Sequence, residues 1–174
     1  MNQKDKKKFR DSASFGKRQE FIVISKLLRK GYDVYQTLVD DQQIDCIIRK
    51  GKQSPLYADI QIKARSKDCS PKDAARFAGL VIENPRPNYF FIFYSQQLKK
   101  TWIIPSMDIT NREAGRIGSK NEKGINAGKY SINMAGYGRT DDKARADGPT
   151  TKRFQKYEEK NGYDLLDKML SSAK

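Results

Sequence analysis

A chain of 174 residues with 37% hydrophobic and 32% charged content is long enough for one domain with a buried core and too apolar for a disordered segment. Its 35 Lys and Arg against 21 Asp and Glu give a formal charge of +14, a field that attracts polyanions, nucleic acid first among them. It contains no histidine, which excludes Ser-His-Asp catalysis, histidine zinc sites and every histidine general base.

Residues 1–13, MNQKDKKKFRDSA, read as a basic flexible arm without the apolar stretch of a signal peptide, ahead of a domain spanning 14–174. Ser14 is the expected N-cap of a helix running to about Lys30, with Gly31 closing it. Phe21, Ile24, Leu27 and Leu28 mark its apolar stripe, and Glu20 falls on that stripe as well. Such a carboxylate either complements the start of the helix dipole or serves a site beyond the helix.

Three strands are expected next, in DVYQTLV, IDCIIRK and YADIQIKAR, joined by the acidic turn Asp40-Asp41-Gln42-Gln43 and a turn at Gly51-Lys52-Gln53. Cys46 lies on the apolar face of the second strand and reads as a small buried hydrophobe. KDAARFAGLVIE reads as a second helix, capped by Ser70 with Pro71 first, and Asn84-Pro85-Arg86-Pro87-Asn88 breaks it. NYFFIFYS and TWIIPS alternate so little that both faces of these strands should be covered. Their aromatics, Trp102 included, then read as core. Residues 111–151 are rich in Gly, Asn and Lys and read as loops with one short strand near KYSINMAGY. An amphipathic helix over 151–170, broken at Asn161-Gly162, ends the chain. The fold class is thus α/β, a central sheet flanked by helices in a single domain. No apolar run reaches membrane-spanning length, and Cys46 and Cys69 lack metal-ligand spacing, so a soluble cytoplasmic protein is expected.

The chemistry concentrates in YADIQIKARS. Strand side chains alternate, so Asp59, Gln61 and Lys63 share one face while Ala58, Ile60, Ile62 and Ala64 share the other. Asp45 opens the neighbouring strand. Phosphodiester hydrolysis needs an activated water, relief of charge in the transition state and help for the leaving oxygen. A Mg²⁺ ion on a few oxygen ligands supplies all three. Asp45 suits as a hard ligand, the Gln61 carbonyl as an auxiliary one, and Lys63 as the group that orients water or stabilises developing charge. Glu20 could complete the ligand set.

This pattern resembles the PD-(D/E)XK nuclease superfamily, which includes many restriction endonucleases and Holliday-junction resolvases. The family has a helix glutamate, a strand aspartate and a (D/E)xK on the next strand; Glu20, Asp45 and Gln61-Ile62-Lys63 occupy those positions here. The likeness covers about Gly16 to Arg65, and the apolar strands to Ser106 fit the family's central sheet. It is nearest to small bacterial members with a QxK variant. The resemblance implies a restriction-endonuclease-like central mixed sheet, Mg²⁺ (or Mn²⁺) as cofactor, DNA as partner and endonuclease or resolvase-like activity. Gln61 departs from the pattern by removing one negative charge from the ligand set. Asp59, about 6.6 Å along the strand, could restore that charge from behind the ligands.

Arg65, Lys67, Lys99 and Lys100 flank the strands as candidate phosphate contacts. Two rivals stand beside the nuclease: a DNA-binding module of the same fold without catalysis, and a basic RNA-binding protein. A homodimer or a partner subunit is open.

Overall fold

The structure, a computed structural model, describes residues 3–38, 43–52, 55–110, 117–134 and 152–171, with only the main-chain course given for 3–10. In chain order the elements are α1 (Gln3–Arg29), β1 (Asp33–Gln36), β2 (Cys46–Lys50), β3 (Leu56–Arg65), a 3₁₀ turn at Pro71–Asp73, β4 (Arg76–Leu80), β5 (Tyr89–Ser95), β6 (Lys100–Pro105), α2 (Ser106–Thr110), β7 (Ser119–Lys120), β8 (Tyr130–Asn133), α3 (Lys152–Gln155) and α4 (Glu159–Met169).

A five-stranded sheet of order β1-β2-β3-β5-β6 forms the centre. Only β3 and β5 run parallel; the other neighbours are antiparallel, so the sheet is mixed as expected. One face packs under α1 and α4. There Val23 and Leu27 of α1 and Tyr163 and Leu166 of α4 close over Cys46, Ile48, Ile60, Ile62, Phe90 and Ile92. The other face is covered by a second sheet, β4-β8-β7, together with α2 and α3. Phe77, Leu80, Ile132 and Tyr157 meet Phe91, Phe93, Trp102 and Ile104 in that layer. Both faces of β5 are therefore dry, which accounts for its unbroken apolar run.

Several expectations need correction. The first helix starts at Gln3 rather than Ser14, so most of the basic stretch read as an arm is helical. Nothing between Lys4 and Ser14 breaks a helix, and lysine and arginine are good helix formers. Its buried stripe runs through Gln19, Val23 and Leu27, leaving Phe21 and Leu28 53% and 54% exposed. Phe21-Ile22-Val23-Ile24 is apolar all round, so packing on β1 and β3, not periodicity, decides which side is buried. The expected second helix is instead the 3₁₀ turn and β4. Phe77 and Leu80 have helical spacing, but Gly79 at φ +75° breaks the helical path, and pairing with β8 supplies the hydrogen bonds.

The last correction concerns the C-terminal helix, which breaks before Glu159 and not at Asn161-Gly162. In the break, the Ile103 amide donates to the Tyr157 carbonyl at 2.8 Å, and Glu158 forms a bridge to Trp102 on β6. Gly162 lies inside α4 because a Cβ there would come within 2.7 Å of Ile103 Cβ. Gly31 does close α1, at φ +83°. The described part of 111–151 holds two short strands where one was expected, β7 and β8; 111–116 and 135–151 lie outside the described residues. No helix among the described residues is long and apolar enough to cross a membrane.

Candidate active site

The β2–β3 ladder ends where Cys46 faces Ile60. From Gln61 to Arg65, β3 runs on with β5 along one side and no β2 partner along the other. Asp45 sits at this step. Its amide donates to the Ile60 carbonyl at 2.9 Å, and its Oδ2 accepts the Ile62 amide at 2.6 Å, so the side chain extends the ladder by one bond. Register places Asp45 across from Gln61, on the same face.

Gln61 is fully buried, and both ends of its amide are engaged. Nε2 donates to Gln43 Oε1 at 3.1 Å, while Oε1 accepts from the Tyr89 hydroxyl at 3.2 Å. The same hydroxyl is 3.2 Å from the Gln43 carbonyl. Burying an amide costs free energy unless its donors and acceptors are met, and these contacts meet one N–H and the oxygen. Lys63, two residues on, is half-buried, and no carboxylate among the described residues pairs with it.

Glu20 approaches from the helix side, because α1 covers the face of β3 that carries Ile60 and Ile62. It forms an ion pair with Lys17 at 2.5 Å. Burial pushes the Cys46 thiol up to about 12, and the charges of Asp45 and Glu20 add to the effect. Both carboxylates thus act on one buried sulfur at the start of β2.

Asp59 is occupied. Arg86 binds its Oδ2 through Nη2 at 2.5 Å and Nε at 3.1 Å, and the guanidinium also lies 4.9 Å from the Tyr89 ring. Asp59 therefore anchors the Pro-Arg-Pro turn before β5.

The basic candidates gather at one end of the sheet. The Gln96 amide donates to the Arg65 carbonyl at 2.9 Å, and the Lys67 amide donates to Gln96 Oε1 at 3.0 Å, which ties the end of β3 to the β5–β6 turn. Lys67 and Lys99 are exposed there. Arg65 is steadied by the Arg76 carbonyl at 2.8 Å, and Lys100 pairs with Glu158 at 2.7 Å. Beside them a cleft of about 890 Å³ opens between α1 and the end of β3, walled by Phe15, Arg18, Ala64, Arg65, Lys67 and Asp73 among others.

No group of three or more His, Cys, Asp or Glu converges among the described residues. Of the oxygen donors read from the sequence, Asp45 and Gln61 stand across from each other at the end of the β2–β3 ladder, whereas Glu20 belongs to the helix that covers the other face of β3.

The structure thus brings Asp45, Gln61 and Lys63 to the place where the β2–β3 ladder ends, sets Glu20 on the helix side and commits Asp59 to Arg86. Sequence reading missed Gln43, Tyr89 and Arg86. The available signals were a tyrosine heading an otherwise phenylalanine-rich strand and an arginine locked between two prolines.

No family model matches the chain, and no curated protein matches it. Among solved structures, the chain is similar to the bacterial homing endonuclease I-Ssp6803I, with a TM-score of 0.49 and 16% identity over 91% of this chain and 95% of that one.

Proposed function

We propose that this protein is a divalent-metal-dependent DNA endonuclease of the PD-(D/E)XK kind, with resolvase-like action on branched DNA among its candidate activities. The observation that carries the reading is the edge of β3, where a half-buried Asp45 stands across from Gln61 and a half-buried Lys63 follows two residues on, on the same face as Gln61. The charge of +14 and the basic end of the sheet supply the attraction for a polyphosphate backbone.

Within this reading Asp45 and Gln61 would hold Mg²⁺ or Mn²⁺ at the end of the ladder, with Glu20 reaching in from the helix side. The ion supplies Lewis-acid polarisation of a phosphoryl oxygen and a water of lowered pKa. Lys63 places its ammonium against the negative charge that grows on the phosphate, and can orient the attacking water. Arg65, Lys67 and Lys99 set the strand's position without reading sequence. Oxygen ligands, a lysine and a water replace the absent histidine base.

A second reading has its own observation: Gln61 is buried with both ends of its amide engaged, which suits a DNA-binding module that no longer turns over. One experiment separates the two. Linear, supercoiled and branched DNA are incubated with Mg²⁺, Mn²⁺ or EDTA, using wild type and Asp45→Asn. Asparagine keeps an acceptor for the Ile62 amide but removes the charge. Metal-dependent cutting lost in Asp45→Asn supports the nuclease. Salt-sensitive DNA binding without cutting by the wild type supports the module, and a preference for structured RNA over DNA would count against both.

A further inference from the structure

We infer that the face of β1, β2 and β3 turned away from α1 is a stacking platform for unpaired bases of a DNA strand, an inference that rests on the DNA-binding half of the reading above. The second layer's core draws on β5 and β6 but on no residue of β1, β2 or β3. Val34, Ile48, Ala58 and Ile60 pack on the α1 side, so Tyr35, Ile47, Arg49 and Tyr57 face the other way.

Tyr35 and Tyr57 are each 47% exposed there. Arg49 joins them: it faces Tyr57 in the β2–β3 register and lies 5.8 Å from the centre of the Tyr35 ring. Its Nε and Nη2 both donate to Asp33 Oδ2, at 2.9 and 2.7 Å, which holds the guanidinium in place. Two rings and a planar cation, spread across three strands, are the surfaces on which unpaired bases stack.

Charge and position choose the occupant. Arg49 is neutralised by Asp33 and Arg86 by Asp59, so the patch itself offers little to a phosphate backbone. Base faces are uncharged, and they are open to a side chain only outside a duplex. A second copy of the chain carries the same +14 and is repelled, whereas a polyanion is drawn in. Asp45 and Gln61 stand on this same face, with the Ile47–Asp59 pair between them and the Arg49–Tyr57 pair. Tyr57 precedes Gln61 on β3 by about 13 Å, the length of about four stacked bases. The substrate class is therefore DNA with a single-stranded arm beside the cut, not continuous duplex.

The test is fluorescence anisotropy in EDTA, at matched salt, on a forked DNA with one single-stranded arm and on its fully paired counterpart. Wild type should hold the fork more tightly. Tyr35→Ala and Tyr57→Ala should each weaken fork binding roughly 5- to 100-fold, the usual loss of one stacked base, and leave duplex affinity within about twofold. Tyr35→Phe and Tyr57→Phe keep a ring and should bind as wild type does. The dependence of affinity on salt should not change, because no phosphate contact is removed. Urea unfolding checks that each variant is folded. Single abasic sites scanned along the arm need no variant, and should weaken wild-type binding most at about four nucleotides from the cleaved bond.

Alanine variants that hold the fork like wild type, with abasic sites that change nothing, overturn the platform while metal-dependent cutting keeps the nuclease. Equal losses on fork and duplex with a shallower salt dependence make the face a backbone contact and overturn it too. A dimer that Tyr35→Ala or Tyr57→Ala dissociates, at unchanged fork affinity, gives the face to a second copy instead. A fork preference that needs both rings, without any cutting, fells the nuclease and leaves the platform standing. No DNA binding by wild type removes both.

Discussion

β3 and β5 lie side by side, parallel and in register from Asp59–Tyr89 to Arg65–Ser95, yet they are composed quite differently. In β5 every residue from Tyr89 to Phe93 is buried, with Phe90 and Ile92 in one core and Phe91 and Phe93 in the other. In β3 only the even-numbered side is apolar; Asp59, Gln61, Lys63 and Arg65 occupy the other. A strand in the middle of a sheet gains most from apolar residues on both faces, so its polar row is kept at a cost in stability. Groups maintained against that gradient make this row the candidate site, and Asp59, Gln61 and Arg65 each have a polar partner there.

Substitutions at paired positions break this comparison most sharply. Phe93 and Lys63 are opposite each other in register. Phe93→Ala should lose about 3–5 kcal/mol in urea unfolding, because it empties a filled core. Lys63→Ala should stay within about 0.5 kcal/mol of wild type. Its DNA cleavage should nevertheless fall roughly 10²- to 10³-fold, as expected when one group stabilising transition-state charge is lost. Similar destabilisation by both would make Lys63 a structural residue.

A smaller effect is expected at Arg86. Arg86→Ala leaves the part-buried Asp59 carboxylate without its guanidinium and should cost about 1–3 kcal/mol. Removing both charges in Asp59→Ala/Arg86→Ala should recover part of that loss, measured by the same unfolding curves. If the double variant is no better than the single, Asp59 has a role besides anchoring the turn.

The smallest effect lies in α4, where a charge serves only structure. Asp167 accepts from the Tyr32 hydroxyl and from Lys50, each at 2.6 Å. Burial alone would raise its carboxyl, but the Lys50 and Tyr32 hydrogen bonds and nearby lysine charge hold it below its ordinary value. A carboxyl with a lowered folded-state value adds stability above about pH 5, and that contribution is lost as pH falls through the folded value. Asp167→Asn should therefore cost about 1 kcal/mol at neutral pH and flatten the acid side of a stability–pH curve. An unchanged acid limb would show that other carboxylates set it.

Much of this division was legible beforehand. Alternation in YADIQIKAR separates the two sides of β3, and the lack of alternation in NYFFIFYS announces a strand covered twice. Cys46 and Trp102 fall in the core as read. What was not legible depends on partners distant in sequence. Arg76–Leu80 has local helical spacing and becomes a strand because β8, about fifty residues later, pairs with it. Phe21 and Leu28 look like core on a helical wheel, but the sheet meets the helix at Val23 and Leu27. Gln43 gave no signal, since a glutamine in a turn is ordinary until its neighbour across the sheet is known. Glu20, Asp45, Gln61 and Lys63 could be put forward as candidates from the sequence, whereas the pairing of Asp59 with Arg86 could not.

The break between α3 and α4 has a consequence for how copies of this chain meet. β6 is an outermost strand, and an outermost strand ordinarily offers unpaired N–H and C=O groups as a template for another chain. Here residues 157 and 158 lie against it through the Ile103–Tyr157 hydrogen bond and the Trp102–Glu158 bridge. At the opposite margin β1 is only four residues long. One margin is capped and the other clipped short, two ways in which proteins resist growing into larger sheets, so the nearly all-apolar β5 lies inside a sheet whose two outer strands are both blunted.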